Sequence, residues 1–320
     1  MKTYFARLWT ILKQTFNDFI DYKITRMSAA LAYYTIFSIA PMLIVVITIC
    51  DWVYGHNAID GTIYEQIKSF VGEQAALQIQ QLIKNATISR DISWASIVGV
   101  VALVFAATSI FTEIQDSINL IWRLKAKPKK GWLKLLVNRL LSFSIVVSLG
   151  FILMVSLVVN ALLDALMQEI IRLFPKTAVY LGYGVNQALT FLTISFLFGI
   201  IFKVLPDAKI KWQDVRVGAF TTAILFMLGK FAIGYYLGKT TITSSYGAAG
   251  SVVIILLWVY YSAIILYFGA AFTRAHAQFT GRHIYPNSYA VWVQQVEVEN
   301  KDSLQMAESQ PKLPDNPSSL

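Results

Sequence analysis

Cysteine occurs once, at Cys50, and histidine three times, at His56, His276 and His283, in a chain of 320 residues. One cysteine excludes an internal disulfide, so the redox compartment is not readable. The histidines do not form the His/Asp spacing of a zinc site. Charge is scarce too: 14% of residues are charged, against ~25% in globular chains. A Walker loop and a GxSxG elbow are both missing, and "GYGVNQ" at 182–187 is not a dinucleotide-binding loop. A nuclease needs several carboxylates or histidines converging on metal ions. The clustered carboxylates on the inner side are Glu113 and Asp116 alone. No catalytic, cofactor or metal site is expected, and the chain reads as not an enzyme.

What is abundant is apolar surface. Hydrophobic residues make up 56% of the chain and the mean hydropathy is +0.57. They fall in long runs, and a spanning helix needs roughly 20 such residues. Length alone suggests two soluble domains, but composition overrides that prior. Six spans are predicted, at Ala29–Cys50, Trp94–Phe111, Leu135–Val159, Leu181–Phe202, Val215–Leu237 and Gly247–Ala270. The expected fold class is therefore all-α: a polytopic membrane protein with six transmembrane helices and an amphipathic helical outer loop. In that loop Ile63, Ile67 and Phe70 would line one short helix, and Ile79, Leu82, Ile83 and Ala86 another. The first apolar run lies behind a charged segment and has no small-residue cleavage site, so it is expected to be retained.

Orientation follows from the basic residues. Twenty of the 27 lysines and arginines fall on the side shared by both termini. By the positive-inside rule both termini are cytoplasmic. The densest block, "RLKAKPKKGWLK" at 123–134, sits in a short loop where the rule is most reliable. The net charge of +9 is accounted for in this way and no nucleic acid is expected. Membrane lipids are the implied partners, with envelope proteins or a second copy of the chain left open.

Three regions follow. Residues 1–28 carry Phe5, Leu8, Trp9, Leu12, Phe16 and Phe19 at three- and four-residue steps, interspersed with Lys2, Arg7 and Lys13. That pattern fits an amphipathic helix lying on the inner leaflet or packing against the bundle. Residues 29–280 form the membrane domain. Residues 281–320 form a cytoplasmic tail, polar and proline-bearing from about Asn287, which is expected to be largely disordered.

Polar groups inside the spans are the candidate solute path. In the second span Ala102, Ala106, Ser109, Glu113 and Asp116 share one helix side, and a charged group in a span is a functional hypothesis by default. Glu113 lies roughly 28 Å past Trp94 at about 1.5 Å per residue, near the inner edge, so an interfacial carboxylate facing the basic block remains the alternative. Lys230 lies about 22 Å into the fifth span, where its amine can snorkel outward or face an anionic solute. Ser144, Ser148, Ser156 and Asn160 form a band on the third span, and Asn186, Thr190 and Thr193 another on the fourth. Each can serve as hydrogen-bonding glue between helices; three such faces together point to a hydrated interior. Pro41 is expected to kink the first span. Gly234 and Gly238 form a GxxxG that predicts close helix packing.

The sixth span divides into two faces. Gly247, Gly250, Ser251, Trp258, Tyr261, Ser262, Ile265, Gly269 and Phe272 fall within about 60° of one direction and are expected to meet the bundle. Val252, Val253, Leu256, Val259, Ala263 and Ile264 occupy the other side, expected to meet lipid, with Tyr267 there in the inner aromatic belt.

"SAALAYYTIFSIAPML" at 28–43, "IFTEIQDSINLIW" at 110–122 and "YGAAGSVVIILLWVYYSAIILYFGAAFTRAHA" at 246–277 together resemble the YihY/BrkB-like inner-membrane family, historically also labelled ribonuclease BN. The resemblance covers roughly residues 10–280. It implies a six-helix protein of the bacterial inner membrane. Many relatives resemble "GAEF" where this chain has Gly269, Ala270, Ala271 and Phe272, so a mechanism requiring an acid at position 271 is not expected here. The expected function is transporter- or permease-like, for a small or lipid-linked solute. A non-transporting scaffold for envelope assembly is the alternative, and a ribonuclease the remote one.

Overall fold

The computed structural model describes residues 2–38, 109–127, 175–239, 250–287 and 289–293, with 68, 73, 76–78, 80–81 and 105. Pro41, Ser144, Ser148, Ser156, Asn160 and Gly247 lie outside the described residues, as do the third span and most of the first, the second and the outer loop. The described chain is predominantly α-helical. Helix α1 runs Lys2–Asp21, α2 covers 24–38 and α3 covers 109–121. Strand β1 is Leu124–Ala126. Helix α4 is Pro175–Val204, β2 is Ala208–Lys209, α5 is Trp212–Lys239 and α6 is Gly250–Phe279. Strands β3, Tyr285–Pro286, and β4, Ala290–Trp292, follow.

Three described helices are long and apolar enough to cross a membrane: Gly184–Val204, Trp212–Leu237 and Val252–Phe279. They coincide with the fourth, fifth and sixth predicted spans. Helices α4 and α5 pack together, α5 packs on α6, and α1 packs on the far side of α6. The chain segments around 18–23, 113–127, 205–216 and 270–293 gather at one end of this bundle, here called the basal end.

The crossing of α5 and α6 is set by two reciprocal pairs. A methyl group at Gly218 would stand 2.9 Å from Thr273 Cβ, and one at Gly269 would stand 2.9 Å from Thr222 Cβ. Real carbon atoms do not approach so closely, so glycine is what lets the two backbones meet. Each threonine hydroxyl is satisfied within its own helix: Thr222 Oγ1 donates to Gly218 O and Thr273 Oγ1 to Gly269 O, both at 2.7 Å. Further along the same seam Gly229 leaves room for the Tyr261 ring, and Trp258 meets Phe226 edge-on at 6.0 Å. Gly269 thus sits at this close approach, and Gly250 is also buried. Gly234 does not: a methyl there would meet nothing within 4 Å. The GxxxG spacing at Gly234 and Gly238 is one helix's property, whereas close approach needs a small residue where two axes cross.

The two-faced picture of α6 holds only in part: of the side expected to meet lipid, Val252 is exposed and Val253, Leu256, Val259 and Ile264 are half-buried. Toward the basal end most of the helix is buried, with Phe268 and His276 half-buried and Gln278 and Phe279 exposed. Ala263, predicted to face lipid, is 2% exposed, and Tyr267, predicted for an aromatic belt, is fully buried. Tyr267 is covered by α3, whose Ser117 and Glu113 lie beside its hydroxyl, and α1 covers a neighbouring side of α6. Ile11 of α1 packs with Phe272 and Ala275, and Phe19 meets Phe268 at 6.3 Å.

Helix α1 accordingly has three sectors. Ile11, Thr15, Asp18 and Tyr22 are buried against the bundle; Leu8, Trp9, Leu12, Phe16 and Ile20 form an exposed apolar stripe; Thr10, Lys13, Gln14, Asn17 and Asp21 form a polar one. The two alternatives read from the sequence are therefore compatible, since one face packs on the bundle and a second is free to meet lipid.

Overpacking a helix seam typically destabilises by about 1–3 kcal/mol. Gly218→Val and Gly269→Val are expected to lose that much, read as a lower thermal unfolding midpoint in detergent. Gly234→Ala should leave the midpoint unchanged or raise it.

Candidate functional site

The polar chemistry of the described chain is concentrated at the basal end. Arg274, on α6, is 4% exposed. A buried guanidinium needs acceptors, and α1 and α3 supply them. Its Nη1 donates to Ile121 O at 2.9 Å, to Tyr22 Oη at 3.0 Å and, at 3.4 Å, to Asp18 Oδ2. Asp18 and Tyr22 are four residues apart, which places both on the buried side of α1. Gln14 Nε2 holds the other Asp18 oxygen at 3.1 Å. Burial pushes the Asp18 carboxyl above its ordinary range, and the Arg274 guanidinium opposes that shift. Arg123, just past α3, donates from Nε to the same Tyr22 hydroxyl at 2.8 Å. Trp122 Nε1 donates to Ala270 O at 2.9 Å.

A second polar group joins α3 to the loop between α4 and α5. Asn119 Nδ2 donates to Asp207 Oδ2 at 3.0 Å and its Oδ1 accepts from Asp207 N at 2.9 Å; Gln115 Nε2 takes Asp207 Oδ1 at 2.9 Å. Asn119 and Asp207 are both buried. Asp214, in the first turn of α5, where a carboxylate suits the helix dipole, is bonded by Arg282 Nη1 at 3.0 Å, with His276 Nδ1 at 3.7 Å. Lys203 Nζ bonds Ile210 O across the same loop.

The segment after α6 ties these groups together. Strand β3 pairs antiparallel with β2, Ala208 opposite Pro286, and β4 pairs antiparallel with β1, Lys125 opposite Val291. Asn287 N donates to Asp207 O, Lys127 N to Tyr289 O and Val293 N to Arg123 O. Trp292 Nε1 reaches back to Ile284 O at 3.0 Å. Residues 282–293 were assigned by sequence to a largely disordered tail. Their polar composition conceals the fact that two loop edges are available to pair with them. Residues 294–320 lie outside the described residues.

A cavity of about 1050 Å³ opens beside this assembly, between the α1–α2 turn and the end of α3 with β1. Asp116 lines it, together with Asn119, Lys23, Arg123 and Lys125. Asp116 therefore shares a wall with part of the basic block, as the interfacial reading of that carboxylate requires. Glu113, one turn earlier, is half-buried and accepts from Ser117 Oγ at 3.5 Å. The buried Tyr267 hydroxyl lies close to both. The expected polar side of the second span does not turn into the packed core. Ser109 and Asp116 are exposed, while Ile114, Ile118 and Ile121 face α4–α6.

The remaining candidates are elsewhere. On α4 Asn186 is exposed, Thr190 buried and Thr193 half-buried; on α5 Lys230 is half-buried. None of the four is among the described residues lining the cavity. The Asp18–Arg274 pair and the Asn119–Asp207 clamp were missed by the sequence reading. An arginine in an otherwise apolar helix was the available signal for the first. The second depends on residues 88 apart and left none.

A family model described as "Virulence factor BrkB" matches residues 15–288. The chain belongs to the BrkB family. Relatives of this BrkB-family protein carry the name UPF0761 membrane protein. One from Tolumonas auensis is 26% identical over 280 residues, covering 84% of this chain and 87% of the relative. One from Pseudomonas paraeruginosa is 28% identical, covering 81% and 63%. One from Xanthomonas campestris pv. campestris is 27% identical, covering 86% and 62%. The chain thus spans most of the first relative and a little under two thirds of the other two. With its long apolar helices it is a membrane protein of that family. No solved structure matches it.

Removing one partner of a buried ion pair costs about 3–5 kcal/mol, more than replacing both by apolar residues. Arg274→Ala is expected to destabilise by that order in thermal unfolding. Asp18→Leu combined with Arg274→Met should recover a large part of the loss.

Proposed function

We propose that this protein is a permease-like component of the bacterial cytoplasmic membrane, with six spans and both termini cytoplasmic, moving a small or lipid-linked solute. The observation that carries this is the basal cavity with a carboxylate in its wall. Asp116 stands in the cavity, and Glu113 follows one turn deeper with Ser117 and Tyr267 beside it. An ionisable residue in a membrane-spanning segment is a functional-site hypothesis by default. The path would run along the polar side of α3, which the α4–α6 core leaves uncovered. On this reading the basal end is cytoplasmic, and the β1–β4 and β2–β3 pairs brace its mouth. The protein then carries no catalytic or cofactor site.

A second reading is a non-transporting scaffold for envelope assembly. The apolar stripe on α1 favours it, because Trp9, Phe16 and Ile20 are each more than half exposed and offer a partner surface.

Proteoliposomes separate the two. Shrinkage and re-swelling would follow small neutral and anionic solutes by light scattering, and dithionite quenching would follow a fluorescent phospholipid. At least one probe should cross faster than in protein-free vesicles, and Glu113→Gln with Asp116→Asn should slow it at least tenfold. No acceleration with any probe, or a rate unchanged in the double variant, would overturn the permease reading.

A further inference from the structure

The geometry points to the basal cavity as a binding site for the phosphate head group of an anionic phospholipid from the adjoining leaflet. This deepens the permease reading, since it names the ligand class of the cavity on which that reading rests.

Three features of the wall converge. The first is charge. Lys23, Arg123 and Lys125 come to one cavity from two stretches of chain, against the two carboxylates of Asp21 and Asp116. The Arg123 guanidinium is oriented by its Nε bond to Tyr22 Oη, as suits a planar phosphate-binding group.

The second is backbone conformation. Lys23 and Arg123 both adopt the left-handed region, at φ 51° and φ 58°, and are the two non-glycine residues that do so among the described residues. Glycine would occupy either turn at lower cost. Strain tolerated at a cleft is a pointer to function when the outlier is observed first. Here both strained residues are cations in the same wall.

The third is the company those cations keep. Ile20 and Leu120 also line the cavity, yet they are 59% and 43% exposed. Ile20 continues into the exposed apolar stripe of α1 through Phe16, one turn away. A soluble phosphate has no use for an open apolar wall beside its cations. A phospholipid matches both parts, head group on Lys23, Arg123 and Lys125, and acyl chain along Ile20 and Phe16. The cavity's 1050 Å³ lies just above the roughly 300–1,000 Å³ range of small-molecule pockets.

Native mass spectrometry of the full-length protein in detergent tests this, titrating phosphatidylglycerol against phosphatidylcholine. Phosphatidylglycerol is expected to bind at least tenfold more tightly. The double variant Lys23→Gly/Lys125→Gln should reduce that preference at least fivefold while its thermal midpoint holds or rises, since glycine relieves the turn and the Arg123–Tyr22 bond stays. A purely structural role for Lys23 predicts a lower midpoint instead. The charge-matched control Lys209→Gln/Lys211→Gln, outside the cavity, should keep the preference. Equal affinity for the two lipids, or equal loss in variant and control, overturns the site. Displacement of the lipid by millimolar glycerol 3-phosphate or inorganic phosphate assigns the cavity to a soluble phosphate and overturns the lipid. Lipid binding that persists without any flux in proteoliposomes would sink the permease reading and leave this one standing.

Discussion

A guanidinium placed in an apolar helix and shut away from water must find acceptors, and the basal end of this protein is arranged around that requirement. Arg274 draws a carboxylate and a phenol from α1 and a backbone carbonyl from the end of α3. Two elements far apart in sequence are thereby held to α6. Small residues complete the arrangement: Ala270, Ala271, Ala275 and Ala277 are all buried, which lets neighbours close on α6 from every side. A bulkier last turn would push α1 away and strand the charge. Burial raises the Asp18 carboxyl despite the adjacent arginine, so desolvation outweighs attraction in this pair. Such a pair contributes placement more than stability.

The chain beyond α6 uses a different kind of bond for a related end. Strands of two or three residues have almost no stability alone, and β3 and β4 are of that length. They exist because β2 and β1 are already fixed by the Asp207 clamp and by the turn at Arg123. Each pairing closes a loop between helices, and Asp214 with Arg282 anchors the turn that leads into β3. The basal face is thus bonded across by backbone groups whose partners are side-chain networks. Loosening Asp207 would release α3 and the Asn287 turn together, because both bond to that residue.

The long apolar helices were legible in the sequence because composition alone forces them: α4, α5 and α6 coincide with predicted spans. The amphipathic character of α1 was legible for the same reason. What periodicity could not show was which of two apolar faces a helix would bury. On α6 the wheel put Tyr267 toward lipid, and α3 reversed that assignment by packing beside it. Glycine spacing misled in a similar way. Gly234 and Gly238 repeat along one helix, but the contact that matters pairs Gly218 with Thr273 and Gly269 with Thr222 across two. Of the candidate path, Glu113 and Asp116 stand together at the basal end and Asp116 lines the cavity, whereas Asn186, Thr190, Thr193 and Lys230 do not. Side-chain chemistry can be read locally; the convergence of distant residues is a product of packing.

Ala271 shows how one substitution shifts this balance. Many proteins of the family it resembles look to carry an acid at that position, and a carboxylate there would stand one turn before Arg274, within reach of an i, i+3 pair on the same helix. Here the position is a fully buried alanine in the apolar core, and the carboxylate at Arg274 comes from Asp18 on α1. Within one helix, such a pair would form whether or not α1 docked. As built, the charge on α6 is compensated only when α1 is in place, so docking of the N-terminal helix becomes a condition for burying Arg274. Tyr22 carries the same dependence outward, because its hydroxyl accepts from Arg274 and from Arg123, and Arg123 lines the basal cavity. The N-terminal helix, the last span and the cavity wall are therefore one coupled unit.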